Sequence, residues 1–139
     1  MKIAVPATSP DPDAPADPRF GRCSFFLLID SDTLAHEVVE NTAAGEASGA
    51  GIAAANLVAD SGAQIVIAGQ LGPKAMEALL ARGLSLYQGL DGSVRDQIEA
   101  YTGNRLQPLS TPSAAEKSGL GGGGRGQGGG GRGGGGQGG

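Results

Sequence analysis

Tryptophan is absent from this 139-residue chain, and cysteine and histidine occur once each. One cysteine excludes a disulfide framework and a cysteine-only zinc site, and the single His36 cannot complete a mixed one. The same scarcity argues against nucleophilic catalysis, because the only histidine lies in the wrong part of the chain to serve Cys23 as a base. No apolar run approaches the roughly 20 residues that a membrane-crossing helix needs. The opening Met1-Lys2-Ile3-Ala4-Val5 also lacks the length and cleavage site of a secretory leader. These absences set the expectation of a cytoplasmic, reducing setting and of a binder rather than an enzyme.

Basic charge is scarce as well. Residues 1–105 hold 7 Lys or Arg against 13 Asp or Glu, a net of −6. Binding to a nucleic-acid backbone is driven by a basic face that releases counterions, so such a partner is not expected for this part of the chain. Glycine is abundant, but 16 of the 27 lie between Gly119 and Gly139, which leaves 11 for the first 118 residues. The chain therefore divides into a domain over 1–105, a polar linker over 106–118 and a Gly/Arg-rich tail over 119–139. That tail is expected to be disordered, because it has too little apolar area to offset the entropy of ordering.

Within the domain the apolar pattern predicts strands and helices in a fixed order. Lys2 to Pro6 reads as a short strand that Pro6 ends, and Phe25-Phe26-Leu27-Leu28-Ile29 and the Val38-Val39 region read as two strands of a hairpin across Asp30-Ser31-Asp32-Thr33. His36, near the start of the third strand, reads as a plain solvent-facing residue. An Ala-rich helix with apolar Ile52, Ala55 and Ala59 follows and stops at Gly62. Gln64 to Ala68 is a continuously apolar strand, Pro73 opens a second helix, and Leu84 to Tyr87 is a last strand. Ser93 and Asp96 form a capping-box pattern at the start of a third helix. The order is β-β-β-α-β-α-β-α, a five-stranded mixed α/β domain with the hairpin at one edge.

Ligands of open α/β sheets gather beyond the carboxyl ends of the parallel strands. Three segments are predicted to meet there: the proline-rich loop Ala7 to Arg22, the turn Gly69 to Pro73 and the loop Gln88 to Ser93. Helix starts there favour negative charge, and Arg19, Arg22 and Lys74 could add full positive charges. Gly49 and Gly51 would allow an anion to approach free backbone N–H groups. Arg19-Phe20-Gly21-Arg22-Cys23 adds a thiol to this donor-rich surface. The plain alternative is that Arg19 pairs with Asp17 and Cys23 packs as a small buried hydrophobe. Asp11, Asp13 and Asp17 could also suggest a divalent cation, although such spacing is more commonly solvated loop.

Asp17-Pro18-Arg19-Phe20-Gly21-Arg22-Cys23, with Lys2-Ile3-Ala4-Val5-Pro6, Gly49-Ala50-Gly51-Ile52, Ala68-Gly69-Gln70-Leu71-Gly72-Pro73-Lys74-Ala75 and Gly92-Ser93-Val94-Arg95-Asp96, resembles the dinitrogenase iron-molybdenum cofactor biosynthesis family, the NifX-like and NifB C-terminal-like domains. The resemblance covers about residues 1–105. It implies a ribonuclease H-like fold, binding or carriage of iron-sulfur or iron-molybdenum cofactor precursors, and partners that deliver or receive them. The expected cofactor-binding set is Arg19, Phe20, Gly21, Arg22, Cys23, Gly49, Gly51, Gly69, Gly72 and Lys74. Cys23 is the candidate metal ligand. Metal-sulfur clusters are usually held by several thiolates, so one here would rest on one thiolate or none, or be shared across a homodimer. A nuclease is not expected, since Ile3-Ala4-Val5 and Ile65-Val66-Ile67-Ala68 lack the acidic metal ligands of that fold's enzymes.

Overall fold

The structure is a computed structural model that describes residues 1–45 and 49–109. The expected Gly-rich tail at 119–139 and most of the expected linker lie outside the described residues. The elements are β1 (Lys2–Ala7), β2 (Phe25–Asp30), β3 (His36–Glu40), α1 (Ala50–Asp60), β4 (Ile65–Ala68), α2 (Pro73–Ala81), β5 (Ser85–Gln88) and α3 (Val94–Thr102). They form one mixed sheet in the order β3-β2-β1-β4-β5. The β1–β2 and β2–β3 pairs are antiparallel, and β1–β4 and β4–β5 are parallel.

Alternation along the strands sorts the core into two layers. Ala4, Leu28, Val66 and Leu86 face α1 and α2, where Phe20, Cys23, Ala54, Val58 and Leu79 complete one apolar cluster. Ile3, Val5, Leu27, Ile29, Ile65 and Ile67 face α3 and meet Val94 and Ile98. This explains the unbroken apolar runs of β1, β2 and β4, because each strand is covered on both sides. β3 is covered little, and Val38 stays 42% exposed.

Two boundaries differ from the sequence expectation. β1 runs through Pro6 to Ala7, which pair with Phe26 and Phe25. Pro6 is tolerated because β4 pairs only with Ile3 and Ala4, and the Pro6 carbonyl instead accepts the Asp17 N–H at 2.9 Å. Its missing donor faces the side from which β4 has diverged. Nor is the chain a free linker from residue 106. Leu106 is buried, the Gln88 N–H donates to the Gln107 carbonyl at 2.8 Å, and the Leu109 N–H donates to the Leu86 carbonyl at 2.9 Å. The segment covers the outer edge of β5.

The capping box at α3 is present, with the Asp96 N–H donating to Ser93 Oγ at 3.0 Å and the Ser93 N–H to Asp96 Oδ2 at 2.9 Å. Ser93→Ala should therefore lower stability by about 1 kcal/mol in a urea titration. A change below a few tenths would show that the cap contributes nothing.

Candidate functional site

The loop between β1 and β2 is strapped down along its length. The Ala16 N–H donates to the Gly92 carbonyl, the Val94 N–H to that of Ala14 and the Arg95 N–H to that of Pro12, while Arg95 Nε reaches Asp13 Oδ1 at 2.6 Å. Further on, the Gln70 N–H donates to the Pro18 carbonyl and the Phe20 N–H to the Gln70 carbonyl. A loop expected to be long and irregular is thus stitched to both the 88–93 and the 69–73 segments. Backbone bonds satisfied in this way hold it in one arrangement. Asp11 caps the Asp13 N–H at 2.9 Å, so two of the aspartates that suggested a cation have structural partners.

Between these three segments lies a cleft of about 400 Å³ at the carboxyl ends of β1, β4 and β5. Val5 and Ile67 give it an apolar floor on the α3 side of the sheet, and Asp17, Gly69, Gln70, Gln88 and Asp91 line it above. Its place is the one the strand order predicts for a ligand. Gln97, 1% exposed, shapes one wall: its Nε2 donates to the Leu90 carbonyl at 2.7 Å and its Oε1 accepts the Leu90 N–H at 2.8 Å. Gln88 Nε2 donates to the Gly69 carbonyl at 3.0 Å.

The expected site residues divide around this cleft. Gly69 lines it, close enough to Pro18 that an added Cβ would meet the proline backbone at 3.2 Å. Arg19 stands beside it through Asp17, which is 4% exposed. Arg19 Nε and Nη2 reach the two carboxylate oxygens at 3.1 and 3.0 Å, and the Arg19 N–H adds a bond of 2.9 Å. Burial alone would raise the Asp17 carboxyl, but these hydrogen bonds and the guanidinium charge hold it below its ordinary value. Asp17 is therefore an anion already matched by Arg19.

Phe20, Gly21, Arg22, Cys23, Gly49, Gly51, Gly72 and Lys74 lie away from the cleft. Phe20 packs on Phe26 with ring centroids 5.1 Å apart. Gly21 and Gly51 face each other so closely that a Cβ on Gly21 would lie 3.2 Å from the Gly51 backbone, and one on Gly51 would lie 3.2 Å from Ala75 Cβ. Here glycine permits the loop, α1 and α2 to touch. Gly49 and Gly72 are the N-cap residues immediately before α1 and α2, and Lys74 lies on the first turn of α2. Arg22 Nη1 donates to the Ala44 carbonyl at 2.8 Å. Among the described residues no lysine or arginine lines the cleft, so the structure does not bring Arg22 and Lys74 to it, and Arg19 reaches it only through Asp17.

Cys23 is 0% exposed. Its thiol is 3.4 Å from the Phe20 carbonyl and receives a long contact of 3.7 Å from Asn41 Nδ2. Burial, with the nearby Asp17 charge, pushes the thiol up to about 12. Enclosed in this way on the α1 and α2 side of the sheet, the thiol does not line the cleft. Asn41, Gln70, Gln88 and Gln97 were not singled out from the sequence. Only their tertiary partners give these amides a role.

Residues 1–104 match the family model described as "Dinitrogenase iron-molybdenum cofactor". The apo form of the orange protein from Desulfovibrio gigas is 38% identical, with a TM-score of 0.78 over 80% of this chain and 94% of that one. A Thermotoga protein solved by NMR and described as a "putative NifB protein" is 32% identical with a TM-score of 0.71, covering 79% of this chain and 94% of that one. An uncharacterised protein of Methanocaldococcus jannaschii is 29% identical over 110 residues, 77% of this chain and 90% of its own length. None of the described helices is long and apolar enough to cross a membrane.

Proposed function

Because this chain belongs to the dinitrogenase iron-molybdenum cofactor family, we propose that it binds and carries a preassembled metal-sulfur cargo of iron-sulfur or iron-molybdenum type, as a non-enzymatic cytoplasmic accessory in cofactor assembly. The observation that carries this reading is the cleft of about 400 Å³ where the three loops converge. Its volume suits a small inorganic cluster, its apolar floor provides van der Waals contact, and the amides of Gln70 and Gln88, which stand beside the carboxylates of Asp17 and Asp91, provide hydrogen bonds. With Cys23 enclosed below the opposite face of the sheet, the cargo keeps its own sulfur ligands and is held without a protein thiolate. Such binding is exchangeable, as transfer to an acceptor protein requires. The binding set on this reading is Asp17 with its partner Arg19, Gly69, Gln70 and Gln88. The strand order also supports the ribonuclease H-like assignment of the fold.

The experiment is anaerobic loading of the full chain with iron or molybdate and sulfide, read as metal content, acid-labile sulfide and visible charge-transfer absorption. Gln70 is exposed at the mouth of the cleft, so Gln70→Trp should fill the entrance and reduce retained cargo at least about tenfold, a loss of about 1.4 kcal/mol. Cys23→Ala should retain it. Loss on Cys23→Ala, or no effect of Gln70→Trp, would overturn this site. The burial of Cys23 also favours a second reading, a metal-free regulatory or scaffold module that binds a protein partner or small anion. A chain that takes up neither metal nor sulfide in the loading experiment would select it.

A further inference from the structure

The two edges of the sheet are treated differently. The outer edge of β5 is covered by residues 107–109, whereas that of β3 is paired with no other strand among the described residues. Uncovered edges are templates for another strand, and proteins commonly blunt them with charge. β3 carries the carboxylates of Glu37 and Glu40 and the imidazole of His36, a pattern that is self-complementary rather than uniformly repulsive.

The register shows how. The Asp30 N–H donates to the Ala35 carbonyl and the Asn41 N–H to the Ser24 carbonyl. With Leu27 opposite Val38 and Ile29 opposite His36, antiparallel alternation points the backbone groups of Ala35, Glu37, Val39 and Asn41 toward β2. Those of His36, Val38 and Glu40 point outward. We propose that β3 pairs antiparallel with β3 of a second copy of this chain about a two-fold axis through Val38. In that register His36 of each copy lies opposite Glu40 of the other, Val38 lies opposite Val38, and every outward N–H and carbonyl of these residues finds a partner.

The side chains agree with this register. His36, Val38 and Glu40 share the face of Leu27 and Ile29, so an imidazole meets a carboxylate on either side of a valine pair. Val38, 42% exposed in the single chain, gains an apolar neighbour. On the other face Glu37 lies opposite Val39 of the second copy, and its charge is already met by Lys2 Nζ at 3.5 Å. A two-fold contact of this kind is closed and does not propagate into fibres. Directly opposite unlike charges stabilise a strand pair, and like charges oppose it. The inference is independent of any cargo.

The test is sedimentation velocity on the full chain over a concentration series reaching about 1 mM, a range suited to a small contact. The expected result is a monomer–dimer equilibrium. His36→Glu places carboxylates opposite each other twice and should weaken association at least about tenfold, or about 1.4 kcal/mol. Combining His36→Glu with Glu40→Lys places a carboxylate opposite an ammonium at both positions and should recover it. Denaturation midpoints check folding, and Val38→Lys at the axis serves if His36→Glu does not fold. A chain that stays monomeric throughout the series overturns the proposal. So does a dimer indifferent to His36→Glu and Val38→Lys, which would use another surface.

Discussion

Asn41→Leu is expected to lower the stability of the domain by about 3 kcal/mol, because it strands several buried polar groups at once. Asn41 is 5% exposed and follows directly on β3. Its Nδ2 donates to the Cys23 carbonyl at 2.9 Å and to the Gly21 carbonyl at 3.2 Å, and its Oδ1 accepts the Ala43 N–H at 3.1 Å. Leucine fills the space and makes none of these bonds, so the loop that ends at Cys23 loses its side-chain anchor to the chain after β3. Each buried unpaired group costs about 1–3 kcal/mol, and local relaxation recovers part of the sum. Urea unfolding measures the loss. The thiol of Cys23 should also become more reactive toward a disulfide reagent, since the amide that lies against it is gone. A loss below about 1 kcal/mol would mean that water replaces the amide.

The second large effect is alkaline. Cys23 in the folded chain is pushed up to about 12, and its ordinary value is 9.0. Below pH 9 the thiol is neutral in both folded and unfolded chains and contributes no pH dependence. Between 9 and 12 only the unfolded chain releases the proton, which draws the equilibrium toward unfolding. Stability should therefore fall with rising pH in that window, by up to about 1.4 kcal/mol per pH unit from this group. Other groups titrate in the same range, so the measurement is the difference between the native chain and Cys23→Ala from pH 8 to 11. The gap in unfolding free energy should change steadily in favour of the alanine variant as pH rises. Parallel curves would show that the thiol reaches solvent and ionises in the fold.

These effects share one architectural cause. The loop from β1 to β2 passes over the carboxyl end of the sheet, lines the cleft with Asp17, and then turns down to bury Phe20 and Cys23 against α1 and α2. The chemistry-bearing residues of one short stretch are thereby sent to opposite sides of the sheet. Asp17 and Arg19 stay with the cleft. Gly21 and Cys23 belong to the packing against α1 and the opposite face of the sheet, while Arg22 is exposed with its guanidinium on the Ala44 carbonyl. A substitution at Asn41 or Cys23 acts mainly on stability, whereas one at Gln70 acts on whatever occupies the cleft.

The strands, the helices, their order and the ends of most of them were legible in the sequence, because apolar periodicity, Pro73, Gly62 and the Ser93/Asp96 pair are local signals tied to local backbone geometry. So was the meeting place of the three loops, which follows from the order of parallel strands. Pro6 misled as a strand end, since whether a missing N–H matters depends on a neighbouring strand that the sequence does not place. Leu106 to Leu109 read as linker because their partner, the edge of β5, is equally remote. Arg19 and Cys23 carry two readings in the sequence, and the bidentate bond to Asp17 and the enclosure of the thiol are contacts through space that only the tertiary structure shows. Composition determined which kinds of group this chain could bring to a site. Packing decided which of them arrive there, because burial and hydrogen bonding are set by neighbours distant in sequence.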